Sequence, residues 1–388
     1  MPTRHLAIAA SIAAMLLVPV TAITSLAGGM ILREASLTPG GMAFEVNTDA
    51  AGKLFISDYD AGEIWQLEPT TSTYTRYLGL PYPSDARPDH MGNIWWTDWD
   101  KTLGEINVLT GTATTWVIEP DQLPQTLGGL AIDEAGRVWI ATHSYYSTEV
   151  GLYRFDPQTD ELCKYAWEGG SASYYIVYDA GQVWLGDEYW RRIIRFDPAV
   201  AQDQVRWWSL AAGASPTGLA LDAAGHLWWA DFGANALVRL DPDSNLVTTY
   251  TLTPGSYPEM LIFDEGRAWY TTTSGSVGAL DPAVASGTVV PAATGSLTST
   301  SASCRSMGTG ATTTVSTAHG TLAWGASSEL APVVDAGGWT IYQLPDGADL
   351  YGIARSSGSL WVADNGRQKL VRLGDWEPLR VFLPFVVR

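Results

Sequence analysis

One seven-residue motif, Gly-x-apolar-Trp-apolar-small-Asp, recurs along the chain and limits its fold more than any other feature. It reads GKLFISD from Gly52, GNIWWTD from Gly92, GRVWIAT from Gly136 and GQVWLGD from Gly181. It continues as GHLWWAD from Gly225, GRAWYTT from Gly266 and GSLWVAD from Gly358, with a degenerate copy, GTLAWGA, from Gly320. Successive glycines lie 40, 44, 45, 44, 41, 54 and 38 residues apart. Each copy carries the same flanks. A Gly-apolar-apolar stretch precedes it, as in SPTGLALDAAG from Ser215, and an apolar-x-Arg-apolar-Asp-Pro element follows, as in LVRLDP ending at Pro242. A Thr- and aromatic-rich stretch such as LVTTYTL (Leu246 to Leu252) closes the unit. Four short strands per 40–45 residues, punctuated by Gly and Asp-Pro turns, are the signature of a β-propeller. The β-branched and aromatic content excludes a helical repeat of similar length.

Eight units begin near Gly41, Pro83, Leu127, Ser173, Pro216, Pro258, Thr312 and Leu350. The fold class expected is therefore all-β, a propeller of eight four-stranded antiparallel blades. Seven is the alternative if the degenerate unit is an insertion. Met30 to Leu37 is placed to complete the last blade and close the ring. The Ser/Thr/Gly-rich stretch 284–319 reads as a surface excursion. The terminal RVFLPFVVR reads as the outer strand of the last blade, where Pro384 fits only at an edge.

Strand geometry separates the three tryptophans of GNIWWTDWD. Trp95 occupies the motif position shared by Trp139, Trp184, Trp228, Trp269 and Trp361, and Trp96, the next residue, points to the opposite face. Both faces of a blade pack on neighbours, so the pair is expected in the core. Trp99 lies beyond the strand and is free to serve a ligand.

Arg4 and His5 precede an apolar run, Leu6 to Val18, followed by small residues up to Ala27. This pattern predicts a secretory signal over 1–27 and a single propeller domain over 28–388, exported and soluble. An uncleaved N-terminal membrane anchor is the alternative. Lys and Arg number 22 against 41 Asp and Glu, a net charge of -19. That balance argues against a nucleic-acid partner and leaves neutral ligands or divalent cations. Cys163 and Cys304, the two cysteines, fall in units nearly opposite in an eight-unit ring, which predicts two free thiols.

Units such as SPTGLALDAAGHLWWADFGANALVRLDPDSNLVTTYTL (Ser215 to Leu252) resemble the streptogramin lyase (virginiamycin B lyase) family and the related NHL and gluconolactonase-type propellers. The resemblance covers Gly41 to about Pro384. It implies a seven-bladed, magnesium-dependent enzyme that opens a cyclic depsipeptide ester without water, using histidines in Pro-His-[Ala/Gly]-Ile and a glutamate of the last blade. Here the residues after the Pro or its substitute are Ser84, Gly128, Tyr174, Thr217, Glu259 and Tyr351, and none is histidine. His319 stands five residues before Trp324, about half the family's spacing. At the family's glutamate the chain offers Asp364 or Asn365.

The candidate site residues follow. Asp58, Asp98, Asp187, Asp231 and Asp364 end the tryptophan strand in five units and should share one face of the disc. Each either caps its own loop or joins a ring of oxygen ligands for Mg²⁺ or Ca²⁺. Beside them Tyr59, Trp99, Tyr145, Tyr189, Trp190 and Phe232 are candidates for stacking on a sugar or peptide. His143, Glu259 and Asp364 are the candidate catalytic groups. Together these features favour a secreted, non-catalytic recognition module for an extracellular glycan, peptide or other small molecule. The alternative is a metal-dependent enzyme akin to the streptogramin lyases, a carbon–oxygen lyase, or to the lactone hydrolases, with a rearranged site.

Overall fold

A computed structural model describes residues 29–118, 126–143, 151–167, 173–200, 205–297 and 299–375. The expected signal over 1–27 and the terminal RVFLPFVVR lie outside the described residues. Seven antiparallel sheets form the blades of a propeller, and each has five strands. Blade 1 runs outward through Ala43–Thr48, Leu54–Asp58, Glu63–Glu68 and Thr73–Leu78. The other inner strands are Pro83–Pro88, Thr126–Ile132, Ile176–Asp179, Pro216–Leu221, Pro258–Asp264 and Leu350–Ser356. The N-terminal strand, Met30–Ser36, pairs with Lys369–Asp375 and closes blade 7. Ring closure thus follows the expectation for Met30 to Leu37.

The eight-blade count is overturned, and so is the four-strand blade. No blade forms over 284–336. The chain leaves blade 6 after its third strand, Ser276–Leu280, and circles the whole ring before returning as the fourth, Trp339–Gln343. On the way Thr288–Pro291, Thr294–Leu297, Ser299–Ser306, Ala311–Thr314 and Ser316–Thr321 add outermost strands to blades 5, 4, 3, 2 and 1. Ser328–Leu330 and Val334–Ala336 do the same for blades 7 and 6. We call this segment the belt. Its composition explains why it is not a blade. A blade must bury both faces, whereas Ala311–Thr314 is exposed at every residue and Ser316–Thr321 at most. Of the degenerate motif only Leu322 and Trp324 turn inward, to the core between blades 7 and 1.

The core divides into seven clusters, one at each blade interface. Trp95 packs toward blade 3 and Trp96 toward blade 1, as the strand alternation requires. Gly104, on the adjoining strand, lies beneath Trp96, where a Cβ would fall 2.0 Å from the indole. Buried hydroxyls join neighbouring blades: Ser57 donates to the carbonyl of Ser84 at 2.9 Å, Thr97 to Gly128 at 2.8 Å and Thr271 to Tyr351 at 2.6 Å.

The cysteine expectation is also overturned. Cys163 and Cys304 face each other across the pairing of blade 3 with the belt and form a disulfide. The excursion carries Cys304 around the ring, a route that an eight-blade count does not contain.

Candidate functional site

The strand-end aspartates and the starts of the inner strands open on one mouth of the central channel. Six of the seven inner strands shift register near that mouth, in blades 1, 2, 3, 5, 6 and 7. Such bulges re-aim side chains, and here they bring groups from distant blades into mutual range. Glu45 of blade 1 feels the charges of Asp85, Arg87 and Glu259, and Glu259 of blade 6 accepts a 2.7 Å hydrogen bond from the Tyr175 hydroxyl of blade 4. These contacts span the channel itself.

The carboxylates differ in how they are held. Asp85 is fully engaged: it accepts from Asn47 Nδ2 at 3.0 Å, from Arg87 Nε at 3.1 Å and from the Leu130 amide at 3.0 Å. Glu45 is 6% exposed, and among the described residues no hydrogen bond reaches its carboxylate; burial and the charge of Asp85 hold its pKa well above the ordinary range, against the opposing charge of Arg87. Asp349, leading into the inner strand of blade 7, has a buried Oδ1 without a partner among the described residues, and burial and Asp364 raise its pKa. Burial also raises Glu259, with Asp349 adding to the effect. Glu188 is pushed up to about 7, first by burial and then by Glu259. Burial is the largest cause of the rise in all four.

Beside Glu188 a cavity of about 390 Å³ is lined by His143, Tyr189, Arg191 and Ser215 among others. His143 is buried, stacks on Tyr174 at 3.8 Å, and is held neutral down to about pH 4 by desolvation. Aromatic rings continue across the mouth. Trp99 contacts Phe44 at 4.8 Å, Tyr59 at 4.7 Å and Tyr174 at 6.3 Å, and Phe44 reaches Tyr351 at 5.1 Å. Further round the rim Tyr189 packs on Trp190, both exposed, and Phe232 on Tyr257.

The structure brings together Glu259, His143, Tyr59, Trp99 and Tyr189 of the residues singled out from sequence. Tyr145 lies outside the described residues. The five strand-end aspartates stay on five separate blades, each accepting bonds within its own blade. Asp58 accepts from the amides of Met42 and Ala61, Asp98 from Asp100 and Thr102, and Asp231 from Ser215 and Ala234. Asp187 holds the Trp190 amide and Arg192, and Asp364 the Arg367 amide and guanidinium. Glu45, Glu188, Asp349 and Tyr175 were not singled out from sequence. The signal for Glu188 was present: it follows Asp187 just as Trp99 follows Asp98.

Among the described residues, one group of His, Cys, Asp and Glu brings its ligand atoms within 4.8 Å: Glu161, Cys163 and Cys304. It is able to coordinate a metal through sulfur when its thiols are free, and here the disulfide joins them. No helix among the described residues is long and apolar enough to cross a membrane.

The profile of the SMP-30/Gluconolactonase/LRE-like region matches residues 45–275. The chain belongs to that family. No curated protein matches it. Among solved structures, the selenomethionine-substituted virginiamycin B lyase from Staphylococcus aureus is similar at a TM-score of 0.63 and 14% identity, over 88% of this chain and 98% of that one. A streptogramin B lyase gives 0.62 and 16% over 89% and 98%. A catalytically inactive variant of the S. aureus lyase with quinupristin gives 0.60 and 15% over 88% and 98%. At such identity the shared property is the fold, and the resemblance to those lyases is distant.

Proposed function

We propose that the protein is a metal-dependent enzyme that opens an ester or lactone bond at the carboxylate-lined mouth, as a carbon–oxygen lyase or a lactone hydrolase. The observation that carries this reading is the convergence of Glu45, Glu188, Glu259 and Asp349 from four blades, with Glu45 buried and Asp349 Oδ1 buried and, among the described residues, without a hydrogen-bond partner. Carboxylates that outnumber the neighbouring cation, Arg87, suit a hard cation, Mg²⁺ or Ca²⁺. Glu45, Glu259 and Asp349 would hold it, and when bound it would polarise the carbonyl of the scissile ester. Family membership and the fold shared with the lyases support the same class.

The remaining roles follow from the chain's own groups. With a pKa near 7, Glu188 can accept a proton from water or from a carbon acid and return it to the leaving oxygen. Tyr175 donates to Glu259 and fixes its orientation. His143 stays neutral and, stacked on Tyr174, walls the cavity. The test combines Mg²⁺ and Ca²⁺ thermal titration with a panel of lactones and cyclic esters. We expect the melting temperature to rise with at least one cation and ring opening to require it. Absence of both effects would overturn the proposal.

The exposed rim aromatics, Tyr82, Tyr189, Trp190 and Tyr257, favour a second reading, a recognition module for a glycan or peptide. Ligand binding that is indifferent to cations, with no turnover, would support it.

A further inference from the structure

The belt covers the outer edge of every blade, yet its hold on the ring is uneven. Its two ends are tied to blade 6, and most of its strands have only three to six residues. Strands that short, at the rim of a sheet, belong to the part of a structure that opens first. The exception is Ser299–Ser306, with eight residues, and it carries Cys304. That strand lies on blade 3, across the ring from blade 6. One covalent bond therefore fastens the belt where it is farthest from both of its tethers.

The surroundings of that bond are asymmetric. Cys163 is fully buried, whereas Cys304 is exposed. Arg154 lies with a guanidinium nitrogen 3.5 Å from Cys163 Sγ and 3.7 Å from Glu161 Oε1, and that carboxylate oxygen stands 3.3 Å from the same sulfur. Arg154 offsets the charge of that carboxylate by pairing with it and favours a thiolate on the sulfur beside it, and a stabilised thiolate leaves faster in exchange.

We propose that Cys163–Cys304 is a reversible clasp, opened by small external thiols, that controls whether the belt is docked. The thiolate of a small thiol attacks the exposed Cys304 sulfur and forms a mixed disulfide there, while Cys163 departs as a thiolate beside Arg154. A second thiol attacks the mixed disulfide, takes the first thiol as a small oxidised disulfide, and leaves Cys304 reduced. Two electrons pass from the two thiols to the protein. Release then uncovers the outer strands of blades 1 to 5. The rings lying directly under belt glycines become accessible, Trp207 beneath Gly295 and Tyr74 beneath Gly320, where a Cβ would approach within 2.6 and 2.5 Å.

Hydrogen exchange read by mass spectrometry on the full chain, oxidised and after dithiothreitol, tests the clasp. Exchange in 288–321 is expected to rise by about tenfold or more while the inner strands keep their protection. The double variant Cys163→Ser, Cys304→Ser should match the reduced protein. Unchanged belt exchange with both thiols shown to be free would overturn the proposal, as would loss of protection throughout the ring. Arg154→Gln should slow reduction by about threefold or more. An unaltered rate would remove Cys163 as the leaving group.

Discussion

The blade interfaces and the channel mouth are built from the same repeat, and they treat it in opposite ways. At the interfaces one position of the motif holds Phe55, Trp95, Trp139, Trp184, Trp228, Trp269 and Trp361, all buried, each packed toward the next blade. Four residues further along, at the mouth, the corresponding position holds Tyr59, Trp99, His143, Glu188, Phe232, Thr273 and Asn365. The first set is nearly interchangeable because every interface poses the same packing problem. The second set differs from blade to blade: Tyr59, Trp99, His143 and Glu188 border the mouth and its cavity, where each can take a separate role. Repetition in this chain marks packing, and departure from it marks chemistry.

The sharpest way to break that contrast lies at the interfaces. Trp96→Ala should cost about 3–5 kcal/mol, measured by denaturant unfolding, because it empties a fully buried site. A loss below about 1 kcal/mol would deny Trp96 its place in the core. Trp96→Phe should cost far less, since the buried Nε1 it removes has no acceptor. Gly104→Ala should cost about 1–3 kcal/mol, because the added carbon collides with the Trp96 ring.

At the mouth the sign reverses. Glu45→Gln removes a buried carboxylate crowded by Asp85 and Glu259, a larger effect than the attraction to Arg87 that is lost with it, so without cations it should raise the melting temperature. In the same variant the thermal shift on adding Mg²⁺ or Ca²⁺ should disappear. Destabilisation of the cation-free protein would place Glu45 among the structural groups with Asp85.

This contrast also explains how much of the molecule could be read from its residues. The blades, the opposed packing of Trp95 and Trp96, and closure by Met30–Ser36 all follow from a local period and from strand alternation. The belt does not, because its strands are mostly exposed and gain their partners from blades far away in the chain or, for Val334–Ala336, from the strand that follows it. The Cys163–Cys304 bond was hidden with it. At the mouth, His143, Trp99 and Glu259 were visible as departures from the repeat. Glu45 was not, because the bulge between Ala43 and Val46 turns it into the channel, and a register shift leaves no mark in a hydrophobic pattern.

The smallest expected effect on stability bears most directly on function, and it concerns Glu188. Burial and Glu259 raise its pKa from an ordinary 4.5 to about 7. A carboxyl raised on folding contributes stability that is fully present below pH 4.5 and is lost as pH rises through 7. In EDTA, then, the melting temperature should fall between pH 5 and pH 8, and Glu188→Gln should flatten that fall by about 1–2 °C. If the variant keeps the wild-type slope, another group is responsible. The same variant separates the two readings of the mouth. An enzyme that uses Glu188 as its base should lose ring-opening activity by about a hundredfold or more while cation binding at Glu45 and Asp349 persists. A recognition module should keep its ligand affinity within a few-fold, because neutral glutamine preserves the shape of the cavity and the surrounding rings supply the contact area.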